Sequence, residues 1–300
     1  MFKGFETFDI DCNGVNIHGV SGGNGAPILL LHGYPQTHVM WHKLAPGLSK
    51  THTVVAADLR GYGQSAKPAS TSDHSSYSKR AMAADMVELM AQLGHRRFII
   101  CGHDRGARVA HRLALDWSQR VEKMVLLDIA PTREMYRNTD ELFAKSYWWW
   151  FYLVQKAPLP ENMIGADPRG YWLAKCGNSS SGLTPFSDEA LAQYLQYFDD
   201  PDTIRASCED YRAAASIDIE HDDSDGDRKI VCPILVIWGK DGVIECCFDA
   251  LALWRQRASD VTGFAMQGGH YLAEENPDLL YGHLQEFLNL DPREHESKKI

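Results

Sequence analysis

Asp104 lies in the run Gly102-His103-Asp104-Arg105-Gly106, directly behind the apolar stretch Phe98–Cys101 and ahead of a helix-compatible segment. Glycine, any residue, nucleophile, any residue, glycine at a strand-to-helix junction is the pattern of a tight, strained turn that lifts its central side chain above the edge of a sheet. The glycines are needed because no side chain fits beside the nucleophile. A serine there would make an esterase. A carboxylate instead attacks saturated carbon by displacement and leaves an ester that water cleaves, which suits alkyl halides and epoxides better than amides. The competing reading is an aspartate that only caps the helix after it.

A carboxylate nucleophile needs a base to activate water for the second step. Most of the thirteen histidines must be structural or exposed. His270 stands apart because Gly268-Gly269-His270 follows the strand-like Val261–Met266 late in the chain, where the last member of a nucleophile–acid–base set falls. Two carboxylates could orient its imidazole. Asp128 ends the run Lys123–Leu127, and Asp241 follows Ile237-Trp238-Gly239-Lys240 one strand later. Asp128 is preferred, since both strand ends reach the same rim and Asp241 stands one residue closer to its glycine than the usual later-strand pattern has it. His32-Gly33-Tyr34-Pro35 follows the strand-like Ile28–Leu31, so the main-chain N–H groups of Tyr34 and Arg105 are the expected oxyanion-hole donors, while the His32 side chain shapes the loop. Two glycine patterns are decoys. Gly19-Val20-Ser21-Gly22-Gly23 leads into another strand-like run rather than a helix, and Gly61-Tyr62-Gly63-Gln64-Ser65-Ala66 is followed by Pro68 and serines where a dinucleotide fingerprint needs a helix.

The elements that position these residues can be read from periodicity. Short apolar runs at Pro27–Leu31, Thr53–Ala57, Phe98–Cys101, Lys123–Leu127 and Ile234–Trp238 have the length of buried strands. Between them, Ser78–Leu93 carries Met82, Met86, Leu89, Met90 and Leu93 on one helical face, and Ala107–Asp116 can form another helix. Alternating strands and helices imply an α/β fold with a mostly parallel sheet covered on both faces. The alternation stops near Thr132. Residues 133–225 are rich in aromatics and helix formers and read as a helical cap inserted into a core made by 1–132 and 226–300. The acidic run Asp222-Asp223-Ser224-Asp225-Gly226-Asp227 reads as a solvated loop, Arg112 as a surface helix residue, and the charged tail 291–300 as frayed.

Bulk composition narrows the partners. A formal charge of −10 and an isoelectric point near 5.7 give no basic face for nucleic acid or anionic lipid, so an anionic substrate must meet locally placed cations. Cys12, Cys101, Cys176, Cys208, Cys232, Cys246 and Cys247 form an odd set without metal-ligand spacing, which suits reduced thiols. Polar and acidic residues occupy Met1–Asp11 where a secretion signal would need an apolar stretch, and no segment approaches about 18 uncharged apolar residues. A cytoplasmic protein is expected. Neither a metal nor an organic cofactor is called for.

With HGYP at His32–Pro35, DLRGYGQS at Asp58–Ser65, GHDRGARVAHRLALD at Gly102–Asp116, LLDIAP at Leu126–Pro131 and GGH ending at His270, the chain resembles haloacetate dehalogenases of the α/β-hydrolase superfamily. The likeness covers nearly the whole length and continues through the insertion in Tyr147-Trp148-x-Trp150, Ile164-Gly165-Ala166-Asp167-Pro168 and Cys208-x-Asp210-Tyr211-Arg212. It implies a homodimer acting on a small haloacid. Haloalkane dehalogenases and many epoxide hydrolases place Trp after the nucleophile; here Arg105 stands there with Arg108 one turn on, and two guanidinium groups can clamp a substrate carboxylate. In the resembled family a cap His, a Trp and a Tyr donate hydrogen bonds to the departing halide. Trp150 and Tyr211 match the last two, whereas Trp149 replaces the His, which implies a changed pocket and a preference for chloroacetate or bromoacetate over fluoroacetate. Epoxide hydrolysis by the same nucleophile, with Tyr147, Tyr152 and Tyr211 as possible acids, is the nearest rival, and a non-catalytic binding module on the same fold is the other.

Overall fold

In the computed structural model, which describes residues 1–177 and 181–289, the chain builds one eight-stranded sheet in the order β1-β2-β4-β3-β5-β6-β7-β8. The strands are β1 (Glu6–Cys12), β2 (Val15–Gly22), β3 (Ala26–Leu31), β4 (His52–Ala57), β5 (Phe98–His103), β6 (Val121–Leu127), β7 (Ile234–Gly239) and β8 (Val261–Met266). From β4 across to β8 every pairing is parallel. Ile28, Leu29, Leu30 and Leu31 are all fully buried, as a strand covered by helices on both faces requires. The sheet is thus the mostly parallel α/β arrangement that the periodicity predicts.

The antiparallel β1–β2 hairpin was not anticipated. Its residues alternate between polar and apolar, and Asn13 and Gly14, both at positive φ (57° and 80°), make the two-residue turn between Cys12 and Val15. The first decoy glycine pattern lies at the end of β2.

Helix Lys79–Gln92 starts where Ser78 accepts a hydrogen bond from the Ala81 amide at 3.2 Å. Helix Arg105–Asp116 follows β5 without a spacer beyond Asp104. Between β6 and β7 the described residues contribute helices and loops but no strand to the sheet, the first helix at Thr132–Arg137 and the last at Ile217–Ser224.

Two surface expectations are overturned here. Arg112 is buried, and its guanidinium meets Asp222 at 2.6 Å, Asp225 at 2.7 Å and Asp116 at 3.3 Å. The acidic run is accordingly not a solvated loop: Asp222 lies in the helix Ile217–Ser224, and both Asp222 and Asp225 are buried against that cation. Opposite charges brought together by the fold desolvate each other in a way that a local charge count cannot anticipate. The tail 291–300 lies outside the described residues. All seven cysteines are free, five of them buried. Among the described residues no helix is long and apolar enough to cross a membrane.

Candidate active site

The parallel strands bring four chain segments to one rim of the sheet. Asp104 follows β5, the Gly33–Tyr34 loop follows the neighbouring β3, Asp128 follows β6 and His270 lies beyond β8. Asp104 adopts φ 44° and ψ −112°, a strained conformation for a residue with a Cβ. Its neighbours leave no slack. A Cβ on Gly102 would stand 2.6 Å from the Ala107 amide nitrogen, and one on Gly106 2.5 Å from the Leu31 and His32 carbonyl oxygens. The turn is held by the Asp104 amide donating to the Leu127 carbonyl (3.2 Å) and the Gly106 amide to the His32 carbonyl (2.8 Å).

The Asp104 carboxylate is almost wholly buried, and its Oδ2 accepts from the Tyr34 amide at 3.0 Å. Gly33 permits this approach, since a Cβ there would lie 2.6 Å from Asp104 Cβ. Arg105 begins the helix, so its amide is one of the first-turn N–H groups without an intrahelical carbonyl. Burial pushes the Asp104 carboxyl up, but His270, Arg105 and Arg108 outweigh it and hold it at about 2. It is ionised at neutral pH.

His270 Nδ1 lies 2.5 Å from Asp128 Oδ2, and Asp128 Oδ1 accepts from the Gly239 amide at 2.9 Å. That pairing places a proton on Nδ1 and leaves Nε2 as the basic nitrogen. Asp241, the rival orienting acid, instead accepts from Gln267 at 2.7 Å. Tyr147 Oη also reaches His270 Nδ1, at 3.4 Å. His103 Nε2 donates to the His270 carbonyl at 2.7 Å, tying the base to the elbow; burial, then the neighbouring His270, pushes the His103 imidazole down to about 3, so it stays neutral. His32 is buried between the Gly33 carbonyl (3.0 Å) and the Leu59 amide (3.0 Å), inside the loop it was expected to shape.

Arg105 and Arg108 are both buried beside the nucleophile. Arg105 is paired with Asp210, Nε to Oδ2 at 2.9 Å and Nη2 to Oδ1 at 2.6 Å, and lies 4.1 Å from the Tyr211 ring centre. Arg108 Nη1 donates to the Ala130 carbonyl (3.1 Å) and Thr132 Oγ1 (2.8 Å), and the guanidinium lies 4.7 Å from the Trp150 ring centre. Each guanidinium keeps a nitrogen with no partner, Arg105 Nη1 and Arg108 Nε, and the buried Trp150 Nε1 and Tyr211 Oη are likewise without one. Trp149 is separated from this group. It lines a cleft of about 140 Å³ with Tyr147, Lys175, His270 and Tyr271.

Three residues of this site escaped the sequence reading. Asp210 belongs to the quoted segment beside Tyr211, yet nothing local marks it as the partner of Arg105. Lys79, from the helix Lys79–Gln92, shares the Asp210 carboxylate, and Lys175 enters from the helix Pro168–Gly177. Both are lone lysines in helices, with no sequence signal of burial.

Comparison with known proteins agrees with this architecture. The model of the α/β hydrolase fold family matches residues 26–277. The chain is 43% identical to a fluoroacetate dehalogenase of Burkholderia sp over 96% of its own length and 95% of the relative's. It is 30% identical to a soluble epoxide hydrolase of Corynebacterium sp. (strain C12), over 89% and 92% of the two chains. A solved α/β-hydrolase candidate from Nostoc sp PCC 7120 superposes with a TM-score of 0.94 at 53% identity, covering 97% of this chain and 100% of that one. With the elbow, the parallel sheet and the relatives in agreement, the chain belongs to the α/β-hydrolase fold family.

Proposed function

We propose that the protein is a hydrolytic dehalogenase of small 2-haloacids, converting a haloacetate and water to glycolate and halide through an ester on Asp104. The observation that carries this reading is the set of four buried, unpartnered donor atoms, Arg105 Nη1, Arg108 Nε, Trp150 Nε1 and Tyr211 Oη, gathered near an ionised carboxylate. Buried donors are costly to leave unpaired. Those on the arginines and Trp150 can only donate, so an anionic carboxylate and a departing halide are the natural complement.

The residues then take these roles. Arg105 and Arg108 hold the substrate carboxylate, and Asp104 Oδ1 attacks the α-carbon while Oδ2 stays on the Tyr34 amide. Halide leaves toward Trp150 and Tyr211, while Trp149 stands in the neighbouring cleft with His270 and Lys175. Burial pushes the Tyr211 phenol up, which keeps it a donor. His270, oriented by Asp128, takes a proton from water, and the water attacks the Asp104 carboxyl carbon. The oxyanion forms on the oxygen already facing the Tyr34 amide, with the Arg105 amide as second donor. Its collapse breaks the bond from the Asp104 carboxyl carbon to Oδ1, which leaves as the glycolate hydroxyl with the proton from His270, and the regenerated Asp104 gives its remaining proton to water. Residues 133–225 serve as a cap that supplies the halide donors and excludes water, and the enzyme works as a cytoplasmic homodimer. Trp149 in place of an imidazole favours chloride or bromide as leaving group over fluoride.

Epoxide hydrolysis has the Corynebacterium relative and the free Tyr211 hydroxyl in its favour. A neutral epoxide, however, would leave the buried Arg108 guanidinium without an anion and the open Arg105 Nη1 without an acceptor. Halide release from chloroacetate by purified protein, with Asp104→Ala as control, tests the reading. Release abolished by the substitution supports it, and folded protein that releases halide from no haloacid refutes it.

A further inference from the structure

Lys175 is a buried lysine with no carboxylate at ion-pair distance among the described residues, and burial pushes its ammonium down against the pull of the Cys176 and Asp104 charges. It is 5% exposed, and its Nζ donates to the Tyr34 carbonyl at 3.2 Å and the Tyr271 hydroxyl at 2.9 Å, both neutral. No ion pair within 4.0 Å among the described residues includes it. The buried Arg60, Arg105, Arg112, Arg212 and Arg257 each have a carboxylate; Arg108, which the proposed function gives to the substrate, has none. A charge taken out of water without an opposite charge is retained at a cost that a bound anion would offset.

The position of Lys175 says where that anion would sit. It lines the same cleft as His270, Trp149 and Tyr147, away from Arg105 and Arg108, and its Nζ lies 4.7 Å from the Trp149 ring centre. An ammonium has three N–H donors, and two are taken. We propose that the third N–H of Lys175 forms a second small-anion subsite in the cleft, on the His270 side of the nucleophile, that takes a halide or a carboxylate. Given the dehalogenase reading, on which the identity of the physiological anion rests, two sources share this chemistry: the halide leaving the site and the haloacid entering it.

Iodide quenching of tryptophan emission tests the subsite without turnover, because an anion at Lys175 would lie against Trp149. Titration of the full-length protein should show a saturable component above the linear collisional quenching, reversed by chloride. It should persist in Asp104→Asn and in Lys175→Arg. The part due to the subsite should be lost in Trp149→Phe, leaving only quenching from the halide pocket at Trp150, and should weaken about tenfold or more in Lys175→Met, the size expected for a charge-assisted contact. Should Lys175→Met fail to give a native near-ultraviolet dichroism spectrum, Lys175→Gln, which keeps a polar head, takes its place. Absence of the saturable component in the wild type, or its survival undiminished in a folded Lys175 variant lacking the charge, overturns the proposal. Steady-state kinetics then separate the sources. Weaker chloride inhibition at unchanged KM in the Lys175 variant identifies departing halide, and a raised KM at unchanged chloride inhibition identifies the incoming carboxylate. Saturable quenching in a protein that dehalogenates nothing would sink the proposed function and leave the anion subsite standing.

Discussion

Replacing Asp210 by Asn should cost both stability and substrate affinity, because this carboxylate carries two buried cations. Its oxygens meet Arg105 at 2.6 and 2.9 Å and also Lys79, and Tyr62 donates to it at 2.6 Å. Removing one partner of a buried ion pair costs about 3–5 kcal/mol. The low end applies here for two reasons. Arg105 keeps a bond to the Asp210 main-chain carbonyl at 2.9 Å, and Lys79 keeps Asp218, whose carboxylate lies 3.7 Å from its Nζ. A loss of about 3 kcal/mol in a chain of this size lowers the melting temperature by roughly 6 °C. The kinetic effect follows from Arg105 Nη1, whose aim loosens once Nε and Nη2 lose the carboxylate and only the main-chain carbonyl still holds Nη2. A weakened contact to the substrate carboxylate should raise KM for chloroacetate about tenfold, equivalent to about 1.4 kcal/mol, with a smaller change in kcat. Calorimetric melting and initial-rate kinetics read the two effects. Adding Lys79→Met to the variant removes one stranded cation and should recover part of the melting temperature but none of the KM. A melting temperature lowered by less than about 2 °C together with an unchanged KM would refute the positioning role of Asp210.

Three further outcomes bear on the chemistry. His270→Gln should release one halide per active site from chloroacetate and then stop, with a carboxymethyl group found on the Asp104 peptide by mass spectrometry; continuous turnover would remove His270 as the base for ester hydrolysis. Trp149→His should raise the rate with fluoroacetate relative to chloroacetate about tenfold or more, since a charged donor to halide is worth about 1.5–3 kcal/mol, and an unaltered ratio would dissociate this position from halogen preference. Asp218 supplies a pH test of the buried cluster. Burial raises its carboxyl to about 6 despite Lys79, so the folded state holds that proton more tightly than the unfolded chain does. Its stabilising effect is therefore complete below about pH 4 and is lost as pH rises through about 6, a swing on the order of 3 kcal/mol. Asp218→Asn should gain stability relative to the wild type between pH 4 and 7 in urea titrations, and a pH-independent difference would contradict the assignment.

What the sequence disclosed and what it hid divide along a physical line. The elbow was legible because its constraint is local: Gly102 and Gly106 flank Asp104 where any Cβ would strike the Ala107 backbone or the Leu31 and His32 carbonyls. The buried strands were legible because a strand covered on both faces must be apolar throughout, whereas β1, half exposed and alternating, spoke in a weaker code that its Asn13-Gly14 turn would have resolved. Charges were read least well. Arg112, Lys79 and Lys175 look like ordinary helix-surface residues in the chain, because burial of a long cationic side chain is decided by what the rest of the fold brings opposite it. For Arg112 that is Asp222 and Asp225, and for Lys79 it is Asp210. These pairs join the elbow helix and the helix Lys79–Gln92 to residues 210–225, so each fastens the insertion between β6 and β7 to the sheet layer that carries Asp104. The same accounting singles out the exceptions. Where the fold brings no carboxylate opposite a buried basic side chain, as at Arg108 and Lys175, the missing charge is one that a ligand can supply: the haloacid carboxylate at Arg108, and the entering haloacid or the departing halide at Lys175.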